Sequence, residues 1–150
     1  MYKNILVPID GSATSNLALK EAITLAQENS SIVKVIYVLD PFSITPDIEY
    51  FTMQDIVQSM RAEGVVILEK ARKKLLAAGI HFDVKMVEVN TSGERIPEAI
   101  AREAKRWPAN LIVVGTHGRK GFSHFLLGSV AESIIRIATK PVLLIRGKGR

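Results

Sequence analysis

Two stretches of this 150-residue chain hold residues whose types and spacing suit the chemistry of holding a phosphate. The first begins at Gly115-Thr116-His117-Gly118-Arg119, directly after the apolar run Leu111-Ile112-Val113-Val114, and ends at Gly128-Ser129-Val130. Four of the ten glycines fall between positions 115 and 128, in the spacing Gly115-x2-Gly118-x9-Gly128-Ser129. A strand that feeds a glycine-rich loop and then a helix start turns several backbone N–H groups toward one point. The helix dipole adds a field that favours an anion there. The second stretch is Asp10-Gly11-Ser12, which puts a carboxylate, a glycine and a hydroxyl at the end of the run Lys3 to Ile9.

The same residues exclude other chemistries. A dinucleotide fingerprint needs G-x-G-x-x-G after the first strand, where this chain has only Asp10-Gly11-Ser12. A Walker loop needs a lysine between its last glycine and the hydroxyl residue, yet Gly128 runs directly into Ser129. His117 and His124 lack a third ligand type nearby, so no metal held by protein side chains is expected. Cysteine is absent, which removes thiolate and disulfide chemistry. No residue pair makes a base-and-clamp arrangement for phosphoryl transfer, so no catalytic residue is assigned and any such transfer should be slow. A phosphoryl-accepting receiver domain would need an acidic cluster after the first strand, and Ile9-Asp10 supplies one carboxylate.

Composition sets the frame for these motifs. The chain is 47% hydrophobic and 23% charged, enough apolar material for one domain with a core, spanning residues 1–150. No apolar run is long enough to cross a bilayer, and Met1-Tyr2-Lys3-Asn4-Ile5 lacks signal-peptide architecture, so a soluble cytoplasmic protein is expected. The net charge of +5 is spread over separate clusters with no interleaved aromatics, and aromatics make up 6% of residues. Single-strand binding would want such stacking platforms, so nucleic acid is not indicated as a partner.

The elements that must position the motifs alternate strictly. Strands are predicted at Lys3 to Ile9, Ile32 to Leu39, His81 to Val89, Leu111 to Val114 and Pro141 to Ile145. Helices are predicted from the cap Ser12 to about Asn29, from about Met53 to Ala78 with Gly79 as C-cap, from about Glu94 to Arg106, and from Ser129 to about Ala138. Residues 41–52 read as a loop, and the third strand, with charges between its apolar residues, as an edge. Met53, Met60, Ile67, Ala71 and Leu75 are assigned to the buried stripe of the long helix, and Val130, Ile134, Ile137 and Ala138 to that of the last. Trp107 is expected to cover the end of a helix, and the basic tail after Ile145 to be loose.

A β-α-β-α-β-α-β-α-β order with short right-handed connections implies an α/β fold: a doubly wound, five-stranded parallel sheet with helices on both faces, Rossmann-like. With strand order 3-2-1-4-5, the winding reverses between strands one and four, and ligands bind beyond the strand ends at such a reversal. Asp10 and Gly115 then face each other across it.

Those residues carry a resemblance. Ile5-Leu6-Val7-Pro8-Ile9-Asp10-Gly11-Ser12, Ile112-Val113-Val114-Gly115-Thr116-His117-Gly118, Gly128-Ser129-Val130-Ala131 and Pro141-Val142-Leu143-Leu144-Ile145 together resemble the universal stress protein family, in its single-domain nucleotide-binding subclass. The resemblance implies an ATP-binding regulatory protein of the stress response. Its ligand would be ATP, or ADP or AMP, with any Mg2+ or Mn2+ held by the phosphates. Residues implied in binding are Pro8, Ile9, Asp10, Val38, Gly115, Thr116, His117, Gly118, Arg119, Gly128, Ser129 and Val130. Asp10 would lie against the adenosine, and the Val38 backbone would meet the adenine edge. Gly115 and Gly118 would let the loop approach ribose and phosphate. Gly128 and the N–H groups of Ser129 and Val130 would hold phosphates, with the Ser129 hydroxyl as a further donor.

Plainer readings stand beside these. Asp10-Gly11-Ser12 also fits a turn and helix cap, Gly128-Ser129 a simple helix start, and Arg119 and Lys120 solvated charges. A slow ATPase and a dimeric interaction module without nucleotide are the alternative functions. The last strand, Val142 to Ile145, is an apolar edge, and pairing with its own copy in a homodimer would remove that liability.

Overall fold

The computed structural model describes residues 1–43, 52–117 and 127–147. Within them, strands β1 (Asn4–Pro8), β2 (Ile32–Leu39), β3 (His81–Glu88), β4 (Leu111–Gly115) and β5 (Val142–Ile145) alternate with helices α1 (Ala13–Asn29), α2 (Met53–Ala78), α3 (Ile96–Arg106) and α4 (Ser129–Ile137). The five strands form one sheet in the order β3-β2-β1-β4-β5, with every described pairing parallel. β1 pairs with β2 on one side (Ile5 opposite Val33) and with β4 on the other (Ile5 opposite Leu111), so the winding reverses there. The fold is the α/β arrangement expected, with β3 and β5 as its edges.

Each sheet face carries its own core. Ile5, Val7, Val33 and Val35 pack with Ala18, Leu19 and Ala22 of α1 and Ala71 and Leu75 of α2. Leu6, Ile36, Ile112 and Val114 pack with Ala99 and Ile100 of α3 and Ala131 and Ile134 of α4. Strands buried on both faces are therefore apolar at successive positions rather than at alternate ones. The α1 stripe is small, which brings that helix close to the sheet.

Local sequence sets the ends. Ser12 caps α1 by accepting the Ser15 N–H at 3.2 Å, and Thr52 caps α2 by accepting the Asp55 N–H at 3.1 Å. Gly79 ends α2 in the left-handed region, with φ of 68°. The helix expected from Glu94 begins instead at Ile96. Pro97 sits in its first turn, the Glu98 carboxylate accepts the Arg95 N–H at 3.1 Å, and Glu94 lies before the helix, accepting the Asn90 N–H at 2.7 Å.

Two assignments to buried stripes are corrected. Met53 is 59% exposed and Ile137 is 37% exposed. Each is a terminal residue of its helix, where the face continues but the neighbouring element no longer covers it. Of the expected loop at 41–52, residues Pro41–Ser43 form a short 3-10 turn and Thr52 is the α2 cap, while 44–51 lie outside the described residues. The tail at 148–150 lies outside them as well. Among the described residues no helix is long and apolar enough to cross a membrane.

One polar feature joins α3 to the sheet. The Glu103 side chain is fully buried and receives Lys34 at 3.0 Å, Lys85 at 3.3 Å and Arg106 at 2.9 Å. Burial opposes its charge, but Arg106, Lys34 and Lys85 outweigh burial and hold its carboxyl at about 2, below the usual 4.5. Lys34, itself 4% exposed, also reaches Asp83 at 3.5 Å and stands 5.6 Å from the ring centre of Trp107, the residue that ends α3.

Candidate functional site

The carboxyl ends of β1, β2 and β4 open into a cleft of about 360 Å3 at the winding reversal. Ten of the twelve residues anticipated from sequence line it: Pro8, Ile9, Asp10, Val38, Gly115, Thr116, His117, Gly128, Ser129 and Val130. The other two, Gly118 and Arg119, lie outside the described residues, as do Lys120 and His124.

Asp10 stands in the middle, after β1. Its Oδ1 accepts the Ser12 N–H at 2.9 Å, so the turn reading of Asp10-Gly11-Ser12 is realised while Asp10 still lines the cleft. Gly11 carries that turn with φ of 84°, which a side chain rarely adopts. Three residues after Ser12, the Ser15 Oγ donates to the Ser12 carbonyl at 3.0 Å.

On the β4 side the backbone bends sharply and is pinned at several points. The Thr116 N–H donates to the Ile145 carbonyl at 2.9 Å, and the Gly128 N–H donates to the Thr116 carbonyl at 2.6 Å. The Thr14 hydroxyl donates to the His117 carbonyl. A side chain at Gly115 would stand 2.8 Å from the Thr14 backbone carbon. Close packing of α1 against β4 is therefore one demand on this glycine, beside the ligand approach implied by resemblance.

The start of α4 offers the anion-holding geometry. The first N–H groups of a helix have no partner within it, and Gly128, as N-cap, brings no side-chain acceptor. Gly128 is buried, whereas Ser129 is exposed. His117 adds one unsatisfied group: its Nε2 is buried without a hydrogen-bond partner among the described residues, while Nδ1 lies 3.1 Å from the Thr116 hydroxyl oxygen. Among the described residues no group of three or more His, Asp or Glu side chains could hold a metal ion.

The β2 side differs in character. Its apolar wall is drawn from both faces of the sheet, Tyr37 and Met60 on the α2 side and Val38, Ile96 and Ile100 on the α3 side, and Asp40 and Ser43 also line it. The residues anticipated from sequence include only Val38 of this wall. Asp40 was within reach of the strand-end rule, since it follows β2 immediately. Tyr37 and Met60 read equally well as ordinary core positions, and their place in the cleft depends on how α2 crosses β2. That crossing is close: a side chain on Gly64 of α2 would stand 2.6 Å from the Tyr37 ring. The cleft thus pairs an apolar wall with an uncapped helix start, separated by β1 and roughly two strand spacings of about 4.8 Å each.

Comparison with known proteins agrees with this layout. The model of the universal stress protein family matches residues 1–146. A universal stress protein of Methanocaldococcus jannaschii is 36% identical over 148 residues, covering 97% of this chain and 83% of that one. A crystal structure of a protein of that family from Burkholderia pseudomallei aligns with a TM-score of 0.78 and 33% identity, covering 96% of both chains. The structure of the universal stress protein from Archaeoglobus fulgidus in complex with dAMP aligns with a TM-score of 0.67 and 25% identity, covering 96% of this chain and 98% of that one.

Proposed function

The chain belongs to the universal stress protein family, and we propose that it binds an adenine nucleotide in the cleft at the winding reversal and serves as a regulatory holder of that ligand. The observation that carries this reading is the pairing, within one cleft, of an apolar wall with the uncapped amino end of α4. A nucleotide has the matching polarity, with a flat apolar base at one end and an anion at the other. The dAMP bound by the Archaeoglobus fulgidus relative supports the same class of ligand.

In this reading the base lies against Tyr37, Val38 and Met60, with the Val38 backbone meeting its edge. Asp10 faces the sugar, and phosphates rest on the N–H groups of Ser129 and Val130. The unsatisfied Nε2 of His117 would gain a partner from ribose or phosphate. ATP is the preferred member of the class, and a divalent ion would ride on its phosphates. The protein would act as a homodimer paired through the β5 edges.

Calorimetric titration with ATP, ADP and AMP, each with and without Mg2+, tests the proposal. Saturable binding of at least one, lost on Gly128→Asp, is the expected outcome. Absence of binding by all three would refute it. A normal enzymatic rate of phosphate release, abolished by Asp10→Ala, would replace the holding role with catalysis.

A further inference from the structure

A second concavity, a groove of about 660 Å3, lies away from the nucleotide cleft, where the last turns of α3 and α4 end and the chain turns into β5. Its apolar surface comes from Ala101 of α3 and from Ile137 and Ala138 at the end of α4, over a floor formed by the buried Ile112 of β4. Ile134, one turn earlier, is 1% exposed, whereas Ile137 is 37% exposed. The apolar stripe of α4 therefore runs past the point where this chain covers it.

The charges around the groove are unequal. Arg102 is tied to Glu94 at 2.8 Å and Arg106 to Glu103 at 2.9 Å. Lys105 and Lys140 also line the groove, and neither has an ion-pair partner among the described residues. The one carboxylate among the lining residues, Glu98, already accepts the Arg95 N–H. Cations at helix ends do offset the helix dipole, and Lys105 in the last turn of α3 fits that role. The effect fades within a turn and does not account for Lys140, three residues beyond α4, or for the uncovered Ile137.

We propose that this groove docks an acidic, amphipathic segment of a partner protein. An apolar side chain of the partner covers Ile137, and its flanking carboxylates meet Lys105 and Lys140. An open trough between two helix ends fits a chain segment laid along it. Charge selects the partner: opposite charges at a rim steer encounter and reject like-charged sequences. The sequence that a second copy carries after β5, Arg146-Gly147-Lys148-Gly149-Arg150, is basic and a poor match for the two lysines.

The test pans a phage library of random dodecapeptides against the full chain, then measures the selected peptides on the wild type and on the Lys105→Glu/Lys140→Glu double variant. Both side chains lie at the groove rim; losing the Lys105 cation at the end of α3 should lower the melting temperature by a few degrees at most, and the nucleotide titration should stay that of the wild type. The expected result is enrichment of peptides with apolar residues flanked by Asp and Glu, bound about tenfold or more weakly by the double variant. Failure to enrich any peptide, enrichment of peptides without carboxylates, or undiminished binding to the double variant would each overturn the proposal. Sedimentation of both proteins supplies the remaining arm. A dimer present in the wild type and lost in the double variant would make a second copy the occupant, and would likewise overturn it.

Discussion

Replacing Glu103 by Gln should cost about 3 kcal/mol of stability near neutral pH, and that cost should vanish in acid. The carboxylate is fully buried and holds Lys34, whose side chain is 6% exposed, together with Lys85 and Arg106. Its carboxyl sits at about 2 instead of 4.5, and at about 1.4 kcal/mol per pH unit the gap amounts to roughly 3 kcal/mol. Breaking a buried pair by removing one partner typically costs about 3–5 kcal/mol, because the remaining charge is stranded. Asp83 softens the loss only partly, since it is 59% exposed where it meets Lys34. For a domain of this size, roughly 3 kcal/mol should lower the melting temperature by roughly 6–12 °C.

The direction with pH follows from the sign of the shift. A carboxyl with a depressed folded value contributes its full stability above the unfolded value of 4.5 and loses it as pH falls toward about 2. Urea unfolding followed by circular dichroism, at steps from about pH 7 to about pH 2, should show the wild-type advantage shrink across that window. Other perturbed carboxyls, such as Glu94 beside Arg102, are common to both proteins and cancel in the difference. A difference below about 1 kcal/mol at neutral pH, or one that stays constant into acid, would show that Glu103 stabilises through shape rather than charge.

Three substitutions and one mass measurement probe the rest. Ser129→Ala should weaken nucleotide binding by about 0.5–1.5 kcal/mol in calorimetry with no change in melting temperature, since Ser129 is exposed; unchanged affinity would remove its hydroxyl from the site. Gly115→Ala should destabilise by about 1–3 kcal/mol in urea, because the new methyl would meet Thr14 backbone at 2.8 Å, and wild-type stability would refute that packing. At Gly64→Ala, a gain of up to about 1 kcal/mol in helix preference opposes overpacking of about 1–3 kcal/mol against the Tyr37 ring, so thermal melting should show a net loss. Sedimentation at micromolar concentration should return twice the monomer mass through paired β5 edges, and a monomer would contradict the pairing.

Most of the architecture was legible because its causes are local. Strands buried on both faces read as short apolar runs, Ser12 and Gly79 mark helix ends by a side chain or the lack of one, and strict alternation leaves few topologies. The strand order then brings Asp10 and Gly115 together without any contact having to be guessed. What escaped were features decided by crossing elements. Glu103 lies in Ala101-Arg102-Glu103-Ala104-Lys105-Arg106, which reads as a solvated helix face, and Lys34 interrupts an otherwise apolar strand. The only hint in the sequence was that lone charge inside a strand destined for burial. Ile137 follows its helix period faithfully, but the period cannot say where the covering neighbour stops. Tyr37 and Met60 enter the cleft because Gly64 lets α2 approach β2 closely, and nothing around Gly64 in sequence names the ring it makes room for.

The polar groups of the cleft hold its shape through local hydrogen bonds. Among the described lining residues there is no Lys or Arg, and the only carboxylates are those of Asp10 and Asp40. Asp10 gives an oxygen to the Ser12 N–H, and Asp40 gives one to the Phe42 N–H at 2.9 Å. The hydroxyls around α1 are similarly committed: Ser12 to the Ser15 N–H, Ser15 to the Ser12 carbonyl and Thr14 to the His117 carbonyl. Groups that fix the turn and the loop in this way keep the cleft in shape for a ligand. Those bonds also tie the cleft to Ile145 at the end of β5 through Thr116.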